Sequence, residues 1–278
     1  MISSGIFPGV SYEEYASWPG LRSSYLRHFR RTPAHAYEAS VAPEQPSAAM
    51  DLGTAIHTAV LEPGAFEKRY ARAIKVDRRT TAGKAEWAAF EAEHAGKAIL
   101  APDEWDHITR IRQSVWRQPW AEKLLGGKGA TELSVRWVDP ELQVLCKARI
   151  DRYCPEFRGL ATVVDLKSTR DAGREPFKRD IENFNYGLQA AFYLDGLAAV
   201  SGHHRRWMWI AVEKLPPYAA ALYEPDDEVL DEGRRLYRSA IAMHLECERT
   251  GEWPGYSPEP QIIGRPAWAR RQMEDAAL

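Results

Sequence analysis

The sequence predicts an α/β fold with a central mixed sheet, flanking helices and helical decoration toward the N-terminus. Helical periodicity dominates residues 12–125, strand-length runs divided by turns follow over 131–169, and helix and strand patterns then interleave to a long C-terminal helix. With 278 residues, 45% hydrophobic and 27% charged, the chain has the apolar content for a sizeable core.

The elements follow in order. "SYEEYASWPGLRSSYLRHFRRTPAHAYEAS" reads as a short helix, a Pro-Gly turn and a second helix capped by Ser23 or Ser24. "VAPEQPSAAM" reads as a loop. From Met50, Leu52, Ile56, Ala59 and Val60 recur at helical spacing, Gly53 and Ala55 are small enough for close packing, and Pro63 follows the end. This compact, buried helix carries His57. Residues 83–125 are helical in pattern, with a charged first part and a longer amphipathic second part.

Leu133, Val135 and Trp137 then alternate with Glu132, Ser134 and Arg136. After a turn at "DPE", Val144, Cys146, Ala148 and Ile150 alternate with Lys147, Arg149 and Asp151. "CPEFRG" reads as another turn, and "LATVVDLKST" as a strand on which Asp165 and Lys167 share a face, because strand side chains alternate with period two. "NFNYGLQAAFYLDGLAAV" is a helix with Gln189 and Tyr193 one turn apart and Tyr186 a turn earlier. Two further strands, "RRWMWIAVEK" and "AALYEPD", precede a helix from about Asp226 to Arg249. Trp137, Trp207 and Trp209 lie within strand patterns, which places them in the core rather than on exposed bases. With no internal repeat, the expectation is a single domain over 1–278: a mainly helical part (1–130) carrying His57, a sheet core (131–225), and a C-terminal helix and tail (226–278).

Composition removes several function classes. No apolar run approaches a membrane span, and "MISSGIFPGVSYEEY" lacks the layout of a signal peptide, so the expected location is the cytoplasm. Cys146, Cys154 and Cys247 form no CxxC pair, which argues for reduced structural thiols over disulfides, zinc or iron–sulfur. A net charge of −2 gives no global basic field for a polyanion. Basic pairs at Arg30-Arg31, Arg78-Arg79, Lys178-Arg179 and Arg205-Arg206 supply positive charge locally, as a binding groove or as solvated surface.

The chemistry lies in "TVVDLKSTRD", where two charges interrupt an apolar run. If the strands around "CPEFRG" pair, Asp151 and Asp165 converge, and convergent carboxylates call for a cation such as Mg²⁺ or Mn²⁺. Lys167 beside them can stabilise a developing oxyanion or help deprotonate an attacking water. Phosphodiester hydrolysis needs those parts. A bare D-x-K pair also serves as an ordinary cross-strand ion pair; the case rests on its combination with Asp151, an upstream His-bearing helix and a downstream Q-x-x-x-Y helix. Glu132 on the polar face holds a metal-bound water or is a surface glutamate. Gln189 and Tyr193 brace the site, contact DNA, or pack the helix.

"ARID", "VVDLKST" and "YGLQAAFYLDG" together resemble the PD-(D/E)XK nuclease core, and in particular its exonuclease VIII (RecE-like) branch of phage and prophage recombination nucleases. "LRSSYLRHFRRTPAHAYE", "MDLGTAIHTAVLEP", "TELSVRWVDPELQVLCKARID", "WIAVEKLPPYAAALY" and "GEWPGYSP" extend the resemblance, in order, over nearly the whole chain. It implies a restriction-endonuclease-like core, metal ligands at His57, Asp151 and Asp165, a catalytic Lys167, and the Gln189–Tyr193 pair. It further implies a Mg²⁺-dependent exonuclease, with Mn²⁺ as substitute, that degrades duplex DNA from a 5′ end and leaves 3′ single strands. A homo-oligomeric ring, a single-strand annealing partner and a phage- or prophage-encoded protein in a bacterial host are implied as well. The alternatives are an endonuclease, a nuclease module of a repair or defence complex, and a non-catalytic DNA-binding protein of the same fold. The cysteine cluster of the related iron–sulfur nucleases is absent, as is the long N-terminal extension of some exonuclease VIII proteins.

Overall fold

The structure is a computed structural model and describes residues 3–42 and 48–265. A short strand β1 (Gly5–Phe7) leads into α1 (Tyr12–Ser17), whose N-cap Ser11 accepts the Glu14 amide proton. The expected second helix is broken into α2 (Ser23–Leu26), a 3-10 turn over Arg27–Arg30, and α3 (Pro33–Val41). Arg22, not Ser23 or Ser24, stands at the N-cap of α2, and Thr32 caps α3 ahead of Pro33 at the first helical turn. The first part of the loop read at "VAPEQPSAAM", beyond Ala42, lies outside the described residues, which resume at Ala48 in α4 (Ala48–Leu61). Pro63 does not merely end that helix but opens the next, α5 (Pro63–Arg69).

The helical stretch expected over 83–125 is interrupted. β2 (Tyr70–Arg72) and β3 (Ala98–Leu100) pair in parallel around α6 (Thr81–Glu93), and α7 (Pro102–Arg117) and α8 (Pro119–Gly126) follow. Three-residue strands are too short to show period two, which is why the pattern hid them.

The main sheet contains β4 (Ala130–Val138), β5 (Leu145–Phe157), β6 (Leu160–Thr169), β7 (Arg206–Glu213) and β8 (Ala220–Tyr223), in the order β1-β4-β5-β6-β7-β8. Only β6 and β7 are parallel, joined by the crossover through α9 (Arg174–Phe184) and α10 (Tyr186–Ser201). The turn expected over "CPEFRG" is tighter than that. β5 runs on to Phe157, and only Arg158 (φ 54°) and Gly159 (φ 79°) form the hairpin, both left-handed as a two-residue turn of this hand requires. The last helix, α11 (Asp227–Thr250), is capped by Asp226.

The sheet separates two apolar layers. Ala148, Ile150, Val163, Trp137, Trp207 and Trp209 pack with α10 and α11 on one side, while Val164, Leu166, Ile210 and Val212 pack with α4, α7 and α8 on the other. Ile56, Ala59 and Val60 are fully buried there as their spacing predicts, and among the described residues nothing lies within 4 Å of a Cβ placed on half-buried Gly53. The three cysteines are buried and free. Among the described residues, no helix is long and apolar enough to cross a membrane.

Two buried cations on β5 close helix ends. Lys147 Nζ donates to the carbonyls of Tyr15, Ala16 and Trp18 at the end of α1. The Arg152 guanidinium donates to Leu124 and Gly127 at the end of α8. Each satisfies orphan carbonyls at the negative pole of a helix. Lys147 and Arg149, which alternation puts on the face of Asp151, are thus covered by the N-terminal segment rather than facing a groove; Arg149 donates to the Val10 carbonyl at 3.0 Å.

Candidate active site

β5 and β6 pair at Cys154↔Thr162, Tyr153↔Val163 and Arg152↔Val164, and there the ladder stops. One more step in that register sets Asp151 opposite Asp165. Beyond this point the strands part, and on the β5 side Leu21 takes up the freed edge, donating to the Leu145 carbonyl and accepting from the Lys147 amide at 2.8 Å each. The Leu166 amide, which would have bonded to β5, donates instead to Asp151 Oδ2 at 2.9 Å. Asp151 therefore lies in the gap between two strands, within reach of both faces of the sheet.

His57 approaches from the α4 side, its Nδ1 3.6 Å from Asp151 Oδ2. Asp165 and Lys167, on the opposite face, point toward α10. Lys167 Nζ lies 2.7 Å from Asp165 Oδ2 and donates to Gln189 Oε1 at 2.9 Å, and Gln189 Nε2 donates to Asp165 Oδ1 at 3.0 Å. This closed triangle fixes all three side chains. Tyr186, a turn before Gln189, lies beneath the ammonium at 4.6 Å from its ring centroid. Tyr193, a turn after, packs edge-on against Trp207, and burial pushes its phenol up to about 12, with hydrogen bonds to Ser23 and Gln189 opposing the rise.

Glu132 is the other irregular point. It stands opposite Asp151 with φ 54°, between the regular pairs Thr131↔Arg152 and Leu133↔Ile150. Its carboxylate is taken by the Arg149 guanidinium at 2.5 Å, so it is an internal ion pair near the site. Most of the basic pairs considered as groove charges are likewise engaged: Arg79 with Asp77, Lys178 with Glu175, and Arg206 with Glu224.

The electrostatics follow from crowding and burial. Desolvation pushes Asp151 well above the ordinary carboxylate range, the nearby Asp165 charge pushes it further, and Lys167 opposes the rise. The His57 ring is 34% exposed at its outer edge, yet desolvation and the Lys167 charge lower its pKa, while Asp165, Glu132 and a hydrogen bond to the Leu166 backbone act the other way. Asp165 is 3% exposed, and its Oδ2 has no hydrogen-bond donor aimed at it, since the Lys167 contact falls off the hydrogen-bonding direction.

A hard divalent cation fits this donor set. It would give the buried Asp165 oxygen a partner and offset the burial and the Asp165 charge that raise Asp151. Among the described residues no three His, Cys, Asp or Glu side chains are grouped as a ready metal cluster: Lys167 holds Asp165, and His57 meets Asp151. Sequence reasoning missed the part played by the Leu166 backbone and the Arg149–Glu132 pair. Tyr186 carried a signal in its i, i+3, i+7 spacing with Gln189 and Tyr193.

The model of a PDDEXK-like domain of unknown function (DUF3799) matches residues 22–265. A solved structure from Eubacterium rectale, provisionally named an exonuclease, is similar in fold with a TM-score of 0.62 at 13% identity, over 95% of this chain and 97% of that one. A phage related exonuclease from Haemophilus somnus 129PT is also found, with a TM-score of 0.36 at 10% identity over 86% of this chain and 99% of that one. Among curated proteins nothing matches. With nearly the whole described chain matched and its mixed sheet opening at paired aspartates, this protein belongs to the PDDEXK-like family.

Proposed function

We propose that the protein is a metal-dependent nuclease that hydrolyses DNA from its ends. The observation that carries this reading is the placement of Asp151 and Asp165 across parted strands with Lys167 held against Asp165. Asp151 and Asp165, with His57 beside Asp151, are the residues that would hold Mg²⁺ or Mn²⁺. Bound there, the ion supplies charge neutralisation at the phosphate and a lowered water pKa. The chain's own groups do the rest. Lys167 aims a positive charge at the phosphate as it gains negative charge, and Gln189 fixes that ammonium. Tyr186 forms an aromatic floor beneath it, and the Leu166 amide orients the Asp151 carboxylate.

The name of the Eubacterium rectale protein favours an exonuclease over an endonuclease. The RecE-like resemblance extends the reading to duplex DNA degraded from the 5′ end, 3′ overhangs for phage-type recombination, a homo-oligomeric ring, an annealing partner and a bacterial cytoplasmic setting. Incubation with linear and covalently closed circular duplexes plus Mg²⁺ tests it: the linear form is degraded and the circle survives. Cleavage of the circle supports an endonuclease; cleavage of neither supports a binding protein that keeps the fold.

A further inference from the structure

Four aromatic rings form a row that leads from the sheet edge to solvent past the candidate site. Tyr223 stacks on Phe177 (5.1 Å, 20° between planes), Phe177 leans on Tyr186 (6.1 Å, 37°), and Tyr186 stacks on Phe184 (5.6 Å, 27°). The row starts half-buried at Tyr223, passes through Phe177, which is 1% exposed, and ends open, with Phe184 52% exposed. Along α9 the same progression appears in Phe177, Ile181 and Phe184, one apolar stripe at i, i+4, i+7 whose last member runs past anything that covers it.

The junction that aligns the last two rings is built for it. Asn185 adopts a left-handed conformation (φ 58°) between α9 and α10, which lets residues on either side of it stack. Arg30 pins the junction, donating to the Glu182 carbonyl at 2.6 Å and to Asn185 Oδ1 at 2.5 Å. Tyr186 is also the ring beneath Lys167 Nζ, so the open face of Phe184 lies two contacts from that ammonium. Burial, with Asp165 and Asp180, pushes the Tyr186 phenol up, and exposed Arg27 lies near enough for its charge to oppose that rise.

We propose that Phe184 is a stacking platform for one unpaired nucleobase at the end of the DNA strand entering the site, an inference that rests on the nuclease reading above. An aromatic stack with a free end offers a π-face to any base, and such contacts are tolerant of sequence. The exposed cation of Arg27 beside the row suits the phosphate that such a nucleotide brings with it. An end that is frayed, or easily frayed, is therefore the preferred substrate.

The test uses the full chain in chelator, with duplexes bearing short unpaired ends that carry 2-aminopurine as the terminal base of the 5′ strand in one and of the 3′ strand in the other. Wild type binds and quenches at least one of the two. Phe184→Leu, which keeps an apolar cover on Tyr186 but removes the π-face, abolishes the quenching and weakens binding about tenfold, within the range for loss of one base stack. Phe184→Trp retains both. Quenching and affinity in Phe184→Leu equal to wild type, with an unchanged thermal transition, would overturn the platform. Hydrolysis of the same duplexes with Mg²⁺ is read in parallel. Ring-dependent quenching without hydrolysis removes the nuclease reading and keeps the platform, and hydrolysis with ring-independent quenching does the reverse. Absence of DNA binding in chelator overturns the platform, and absence of hydrolysis as well overturns both.

Discussion

Asp151 accepts the Leu166 amide proton at the residue where β5 and β6 cease to pair, so a side chain completes a ladder that the backbone abandons. That contact holds a carboxylate in a gap where burial and Asp165 both disfavour its charge.

Stability at neutral pH should therefore rise when that charge is removed. In the metal-free chain the Asp151 carboxyl is raised above its unfolded value, so its cost is absent below the unfolded pKa and grows as pH rises toward the folded one. Asp151→Asn keeps an oxygen for the Leu166 amide, so its unfolding temperature in chelator should exceed that of wild type at pH 7. The gap should close as pH falls into the ordinary carboxylate range. DNA hydrolysis should be lost. Equal transitions at every pH would show that burial leaves this carboxyl unperturbed.

Asp165 behaves differently because it is already paired. Asp165→Ala removes an anion from Lys167 and an acceptor from Gln189, leaving a half-buried ammonium uncompensated, so hydrolysis should vanish and stability should fall by roughly 1–3 kcal/mol. Denaturant unfolding separates the two effects. Wild-type turnover in this variant would remove Asp165 from the chemistry.

Lys167→Ala removes the charge that the nuclease reading aims at the transition state and at the same time frees Asp165 Oδ2. Hydrolysis at saturating metal should drop on the order of a hundredfold or more, while Mn²⁺ affinity by calorimetry stays equal or tightens. Collapse of metal affinity with a normal saturated rate would reverse the assignment.

The paired aspartates were legible because β-strand alternation and a short hairpin leave few registers: once Asp165 and Lys167 share a face, Asp151 falls opposite within a residue. The helix with Gln189 and Tyr193 was legible for the same kind of reason, a fixed period. What decides the site's shape was not. Where β5 and β6 part, Leu21 comes from far away in the chain to take up part of the freed β5 edge, and the left-handed Glu132 has a residue type that does not announce its φ. The single helix expected over residues 23–40 breaks because Thr32 caps a new helix at Pro33, a cap-and-proline signal present in the sequence but overridden by the longer periodicity.

His57 tests the reach of α4 across the sheet. His57→Ala should weaken hydrolysis far more at limiting than at saturating Mn²⁺, since it removes a neutral nitrogen beside Asp151 and leaves Lys167 in place. A change in thermal stability with an unchanged Mn²⁺ titration would make it a packing histidine.

A Mn²⁺-soaked crystal, read by anomalous scattering, tests the central claim most directly. The account predicts a peak within coordinating distance of the Asp151 and Asp165 carboxylates, with Lys167 Nζ withdrawn from Asp165 Oδ2. A peak elsewhere, with the Lys167–Asp165 contact intact in a chain that still degrades linear DNA, would contradict it.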